Sequence, residues 1–222
     1  TINKSTDHFN TKIYTGNATN PTTISGIGFQ PDWVWTKLRS GGTEAHRLCD
    51  AVRGATKDLF SNATDAEATN TIGLKSFNSD GYVIGNSNGY NLNSGSFVSW
   101  NWKANGAGSA NTDGDINSTV SVNTTAGFSI VTYTGNLSSS TTATVGHGLG
   151  VAPQMIITKR LSNSSEWGVL HKNLSSWNYV LWLQDTDAQI DKSSNGSMSA
   201  PTSTVFSTNY TNALNVNSST YV

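Results

Sequence analysis

One cysteine, Cys49, stands in 222 residues, which excludes a disulfide within the chain. Charge is scarce as well: 12% of residues are Asp, Glu, Lys or Arg, against an ordinary share of about 25%. The formal net charge is −1, and the few Lys and Arg are scattered, so no basic patch speaks for nucleic acid. No run of about 18 apolar residues occurs, which excludes a membrane-spanning helix. H-E-x-x-H and phosphate-loop sequences are missing, removing two large classes of catalyst. The start lacks a methionine and a basic-then-apolar leader. Thr1 reads as the first residue of a piece excised or processed from something longer.

What is present is Ser, Thr, Asn and Gly in abundance, together with seven Trp, seven Tyr and seven Phe. The aromatics argue for a packed core inside a surface wetted by neutral groups. The order of the residues says more. "GFQPDWVWTKLRS" at 28–40 recurs as "GVAPQMIITKRLS" at 150–162, and "YTGN" at 14–17 recurs at 133–136. A constant shift relates Pro31 to Pro153, Thr36 to Thr158, Lys37 to Lys159, Leu48 to Leu170 and Leu59 to Leu181. Later "NLNSGSFV" at 91–98 answers "NVNSSTYV" at 215–222. A repeat of this length is a duplicated domain rather than a solenoid unit. The first copy continues "SWNWKA" where the second stops, so the second is expected to lack most of its last strand.

Strand patterns dominate both copies. "DWVWTKLR" places Trp33, Trp35 and Lys37 on one face and Val34, Thr36 and Leu38 on the other. "SFVSWNWKA" puts Val98, Trp100 and Trp102 together, and "NSDGY" at 78–82 is a tight hairpin turn. Helical period is confined to "TDAEATN" at 64–70, room for a turn or two. Many short strands with Gly, Asn and Ser turns predict an all-β fold: two tandem homologous jelly-roll-like β-sandwich domains. Repeat 1 is expected over residues 1–104, a Gly/Asn/Asp-rich linker over 105–117, and repeat 2 over 118–222.

Candidate chemistry is thin. Residues 47–67 hold Arg47, Asp50, Arg53, Lys57, Asp58, Asp65 and Glu67, and a glycan hydrolase needs two such carboxyls flanking the scissile bond. The second copy has Lys172 in place of Asp50, so ion pairs are the better reading and no catalytic residue is assigned. The acidic loops at 111–117 and 184–191 lack the spacing of a calcium loop. His8, His46, His147 and His171 have no second ligand at metal spacing. No metal or cofactor is expected. Cys49, in an alternating stretch, reads as a small strand residue. Trp33, Trp35, Trp100 and Trp102 would stack on sugars if exposed, but read as core filling because the second copy has Met155 and Ile157 in place of the first two. N-x-S/T triplets follow from composition alone. The remaining ligand candidates are loop groups in the first copy: Arg39, His46, Arg47, Arg53 and Lys57, donors suited to sugar hydroxyls, sulfates or carboxylates. For Arg53 the competing reading is an internal pair with Asp50 or Glu67.

The long combination of "YTGN", "GFQPDWVW", "DAVRGATK", "SDGY" and "WNWKA", followed by "YTGN" and "HGLGVAP", resembles a repeat domain of tail-fibre-like and other virion structural proteins of marine bacteriophages. The second copy departs from it by lacking "VRGATK" and "WNWKA". The resemblance implies no enzyme and no catalytic residue. It implies a fibre or appendage subunit on the virion surface, extracellular, assembled with other virion subunits as a homo-oligomer and contacting host-surface glycans. Two other readings stay open: an architectural capsid-decoration or filament subunit with no ligand, and a carbohydrate-binding module of a glycan-active enzyme.

Overall fold

A computed structural model describes residues 2–222. The chain is all-β. Its strands are β1 (Phe9–Thr15), β2 (Thr22–Ser25), β3 (Trp33–Ser40), β4 (Arg47–Asp50), β5 (Lys57–Asp58), β6 (Ala68–Thr69), β7 (Leu74–Asn78), β8 (Gly81–Ile84) and β9 (Ser96–Trp102) in the first half. The second half carries β10 (Ser109–Asn111), β11 (Ser118–Asn123), β12 (Phe128–Thr134), β13 (Thr142–Gly146), β14 (Met155–Lys159), β15 (Trp167–His171), β16 (Tyr179–Trp182), β17 (Ile190–Asp191), β18 (Val205–Asn209) and β19 (Thr220–Tyr221). The only α-helix among the described residues is the single turn Asn88–Asn91. Two compact units result. One runs to Ser61 and resumes over Glu67–Ala107; the other takes Asn62–Ala66 and Gly108–Val222.

The two jelly-roll sandwiches are not found. The first unit holds three small antiparallel sheets, β1-β9-β3-β4, β2-β8-β7 and β5-β6. The second holds β10-β11-β12-β19, β14-β15-β16-β17 and β13-β18. These are propeller-blade-like pieces of two to four strands, where a jelly roll wraps eight strands through two sheets. Turn chemistry stops the strands early. At the end of β4 the Asp50 carboxylate accepts from the N–H groups of Val52 and Arg53 at 3.1 and 2.8 Å, bending the chain away before β4 can lengthen. The hairpin at 78–82 is found as read, with Asn78 paired to Gly81. Residues 64–70 are not helical; they lead into β6, whose Thr69 pairs with Lys57. The expected linker at 105–117 contains β10, paired to β11.

Each unit has its own core. In the first, Ile24, Ile27, Phe29, Val34, Cys49, Leu74, Tyr82, Ile84 and Tyr90 pack together. In the second, one cluster joins Tyr133, Val145, Phe206 and Tyr221 with smaller neighbours, and another joins Leu170, Val180, Met198 and Leu214. The repeated words of the sequence acquire a physical meaning here. Tyr14 stacks on Phe97 at 5.2 Å, and Tyr133 on Tyr221 at 5.1 Å. Their hydroxyls donate to the carbonyls of Tyr90 and Leu214 at 2.8 and 2.6 Å. Two residues on, Gly16 and Gly135 pass so close to the facing chain that a Cβ would lie 2.1 Å from Leu92 O and 2.4 Å from Val216 O. The N–H groups of Asn17 and Asn136 then each donate to the side chain of Asn91 or Asn215 at 2.8 Å. "YTGN" and "N-x-N-S" are thus two halves of one docking device, present once per unit.

The copies differ where the sequence stops matching. β9 is seven residues long and lies between β1 and β3. Its counterpart β19 has two, pairs with Tyr133 and Thr134 of β12 on one side and bridges Arg160 through Tyr221 on the other, while Val222 and Lys159 exchange backbone hydrogen bonds at 2.8 and 3.0 Å.

Candidate functional site

Long-range pairing gathers Glu44, Arg47, Asp50, Arg53, Lys57, Asp58 and Glu67 of the first unit into one largely buried network. Its centre is Asp58, fully buried on the short strand β5. The Asp58 carboxylate accepts from Arg47 Nη1 at 2.8 Å, Asn70 Nδ2 at 2.8 Å and the Tyr90 hydroxyl at 2.5 Å. The Cys49 thiol reaches it at 3.2 Å. Arg47 also binds Glu44 at 3.3 Å and lies over the rings of Phe60 and Tyr90. Beside this cluster Arg53, 3% exposed in its side chain, donates to Asp50 at 2.5 Å and to Glu67 at 3.0 Å. It also reaches the carbonyls of Lys57 and Leu48. Burial is the largest influence and opposes its charge, but Asp50 together with the smaller pulls of Cys49 and Glu67 outweighs it and holds the guanidinium pKa above its ordinary value. Lys57 binds Thr69 at 3.0 Å and Glu67 at 3.6 Å.

The five sequence candidates therefore part company. Arg47, Arg53 and Lys57 are spent on internal partners. His46 accepts from the Trp35 indole N–H at 2.9 Å, and burial, aided by Lys37, keeps its imidazole below the usual pKa. Arg39 alone stands exposed, at a bulge near the end of β3.

Cys49 lies inside this network with none of its surface exposed. Burial, reinforced by Asp58, pushes the thiol well above its ordinary pKa, and the thiolate is the reactive form. Folded protein is expected to leave Cys49 unlabelled by a thiol-specific reagent for hours, and to react within minutes in denaturant. Rapid labelling at neutral pH in the folded state would contradict the burial.

The tryptophans sit on the opposite face of the same sheet from the core. Val34 and Leu38 of β3 turn inward, and Trp33 and Trp35 turn out, all within the alternation read from the sequence but with the buried side reversed. Strand pairing sets Trp33 beside Trp102 and Trp35 beside Trp100, with Phe9 beside Trp102. The five rings form a continuous, partly exposed ladder: Phe9 to Trp102 is 4.8 Å, Trp102 to Trp33 is 4.5 Å, Trp33 to Trp35 is 6.0 Å and Trp35 to Trp100 is 6.1 Å. Contrary to expectation, these side chains do not fill the core. The signal that pointed to them was Trp at i and i+2 on two strands. What was lacking was the knowledge that these strands are neighbours.

Elsewhere, a polar cleft of about 300 Å³ lies between Lys4, Asp7, Asn10 and Asp80. Its Asp80 carboxylate is taken up by the N–H groups of Gly26 and Gly28, which hold its pKa down. Asp115, in one of the two acidic loops, accepts from the backbone N–H and the hydroxyl of Thr144. Among the described residues no group of three His, Cys, Asp or Glu is placed to share a metal ion. No helix among them is long and apolar enough to cross a membrane.

No curated protein and no solved structure matches the chain. A family model described as a domain of unknown function, DUF7483, matches residues 4–222. That span takes in both units and every strand of each, so the chain belongs to the DUF7483 family.

Proposed function

We propose that the chain is a non-catalytic structural subunit of a virion surface, part of a fibre or appendage, that displays its β units toward host-surface glycans. The observation that carries this reading is the division of labour in the first unit. The groups an enzyme would use, Asp50, Asp58, Arg47 and Arg53, are locked onto each other, while the aromatic rings are turned outward. An acid or base already committed to a buried partner has little freedom to exchange protons with a substrate. A neutral surface of Ser, Thr, Asn and Gly suits an exposed part that must avoid indiscriminate charge binding. The duplicated tyrosine dock gives a module that can be repeated along an assembly, with other virion subunits and copies of itself as partners.

The purified chain, incubated with a panel of bacterial surface polysaccharides, is expected to release no reducing ends. Release that tracks chain concentration and disappears in Asp65→Asn, an exposed carboxylate, would make it a hydrolase. Antibody against the chain is expected to decorate intact particles at their surface appendages; label found only after particles are broken open would remove the surface assignment.

A further inference from the structure

We propose that the outward aromatic face of the first unit binds an anionic polysaccharide, with pyranose rings stacked on Trp35 and Trp100 and a uronate or sulfate group held at its cationic end. This deepens the glycan-contact reading above and rests on it only for where such a polymer is met.

The platform is built by strand register. Thr11, Trp100 and Trp35 lie side by side across β1, β9 and β3, and Ile13, Val98 and Lys37 form the next row. Thr11 and Ile13 are exposed, Ile13 at 59%. The face therefore offers apolar π surface for the CH side of a sugar and a hydroxyl at its margin for hydrogen bonding. Trp35 does not swing freely: its indole N–H is held by His46, and the Trp100 ring meets it edge-on at 6.1 Å. A pre-oriented platform loses little entropy on binding.

Charge selects the ligand class. Along β3 beyond Trp35 come Lys37 and then Arg39, which is exposed. Lys37 donates to the backbone carbonyl of Glu44, so its charge meets no carboxylate there. The Glu44 carboxylate is itself turned to Arg47, and Arg39 makes no ion pair among the described residues. The end of the platform is thus positive, in a chain whose net charge is −1. A bulge between Leu38 and Ser40 presents Arg39 at this spot, a common way of aiming a side chain out of a ladder. Arginine's planar fork fits carboxylate and sulfate oxygens. The second unit supplies an internal control, with Met155 and Ile157 in place of Trp33 and Trp35.

The test uses the whole chain in affinity electrophoresis through gels containing alginate, dextran sulfate or neutral dextran, with tryptophan emission recorded in parallel. Alginate or dextran sulfate is expected to retard the chain and shift its emission, and neutral dextran to do neither. Trp35→Ala and Trp100→Ala should each weaken retardation about tenfold or more, with Trp35→Phe and Trp100→Phe recovering most of it. Because the alanine variants remove packed rings, Thr11→Glu is the second probe. It places a negative charge on the exposed platform without touching the core, and should abolish retardation by either polyanion. Arg39→Ala should weaken it severalfold, and Met155→Ala should leave it unchanged.

Retardation that survives Trp35→Ala and Thr11→Glu would overturn the site. Equal retardation by neutral dextran would overturn the anionic class, and no retardation by any polymer would overturn the inference entirely. A dimer that forms without polymer and is lost in Thr11→Glu would assign the face to a second copy instead. Surface labelling of particles is scored separately, so the placement on a virion and the ligand class can fail independently.

Discussion

Replacing Asp58 by alanine is expected to cost the first unit about 3–5 kcal/mol, the ordinary penalty for stranding the partner of a buried ion pair. Asp58 has none of its surface exposed and satisfies four groups together: Arg47, Asn70, Tyr90 and Cys49. Its removal leaves the Arg47 guanidinium in an apolar enclosure of Phe60 and Tyr90 with only the more distant Glu44. It also leaves the Tyr90 hydroxyl, 1% exposed as a residue, with the thiol of Cys49 as its remaining contact. A domain holds about 5–15 kcal/mol in total, so the urea midpoint should fall by a large fraction of its value. Removing both charges together, Arg47→Met with Asp58→Leu, should be much milder than the sum of the two single changes, since no uncompensated charge remains. Equilibrium urea unfolding of the four proteins measures the cycle. A loss below about 1 kcal/mol for Asp58→Ala would show that the network is solvated and does not hold the unit together.

Stability of the second unit should rise with pH between about 8 and 10.5 through Lys159. The ammonium has no exposed surface and donates to the backbone carbonyls of Ser165 at 2.7 Å and Thr64 at 3.1 Å. Burial pushes its pKa down from 10.5 to about 8, against the weaker pull of Asp65 and Glu166. The sign follows from proton counts. Between the two values the unfolded chain still carries the proton and the folded chain has released it, so raising the pH favours the folded state. Below pH 8 both states are charged, and the burial penalty is present in full. A fall from 10.5 to about 8 corresponds to about 3 kcal/mol. Unfolding free energy of the native chain, measured relative to Lys159→Met at each pH, should therefore climb by about that amount from about pH 7.5 to 10.5. Referring to the variant cancels the tyrosines, which are common to both proteins. Parallel pH profiles for the two chains would show that Lys159 is hydrated in the fold.

The duplication, the all-β class, the hairpin at 78–82 and the alternation of β3 were legible in the sequence, because each rests on local chemistry. Pairs such as Tyr14/Tyr133 and Asn91/Asn215 recur because one docking geometry admits few residue types. Glycine is required at 16 and 135 by the neighbouring backbone. Period-two alternation defines two faces of a strand, however, and leaves open which face is buried. That is why Trp33 and Trp35 read as core while Val34 and Leu38 fill it. The extent of each sheet also escaped the sequence. A jelly roll and a set of small blade-like sheets are written with similar short strands, and what divides them is whether a turn such as Asp50–Arg53 carries the chain out of its sheet. Charge pairing was visible in part: the pairing of Arg53 with Asp50 and Glu67 was read from the sequence and is found, but the network around Asp58 was not. Arg47, Asp58, Asn70 and Tyr90 meet only after strands far apart in the chain have docked, and only then do three of the five cationic or histidine candidates become internal struts. Local sequence determined the repeated module and its strand faces. Tertiary docking decided which face is dry, which charges are spent, and that Arg39 and a ladder of aromatic rings remain turned toward solvent.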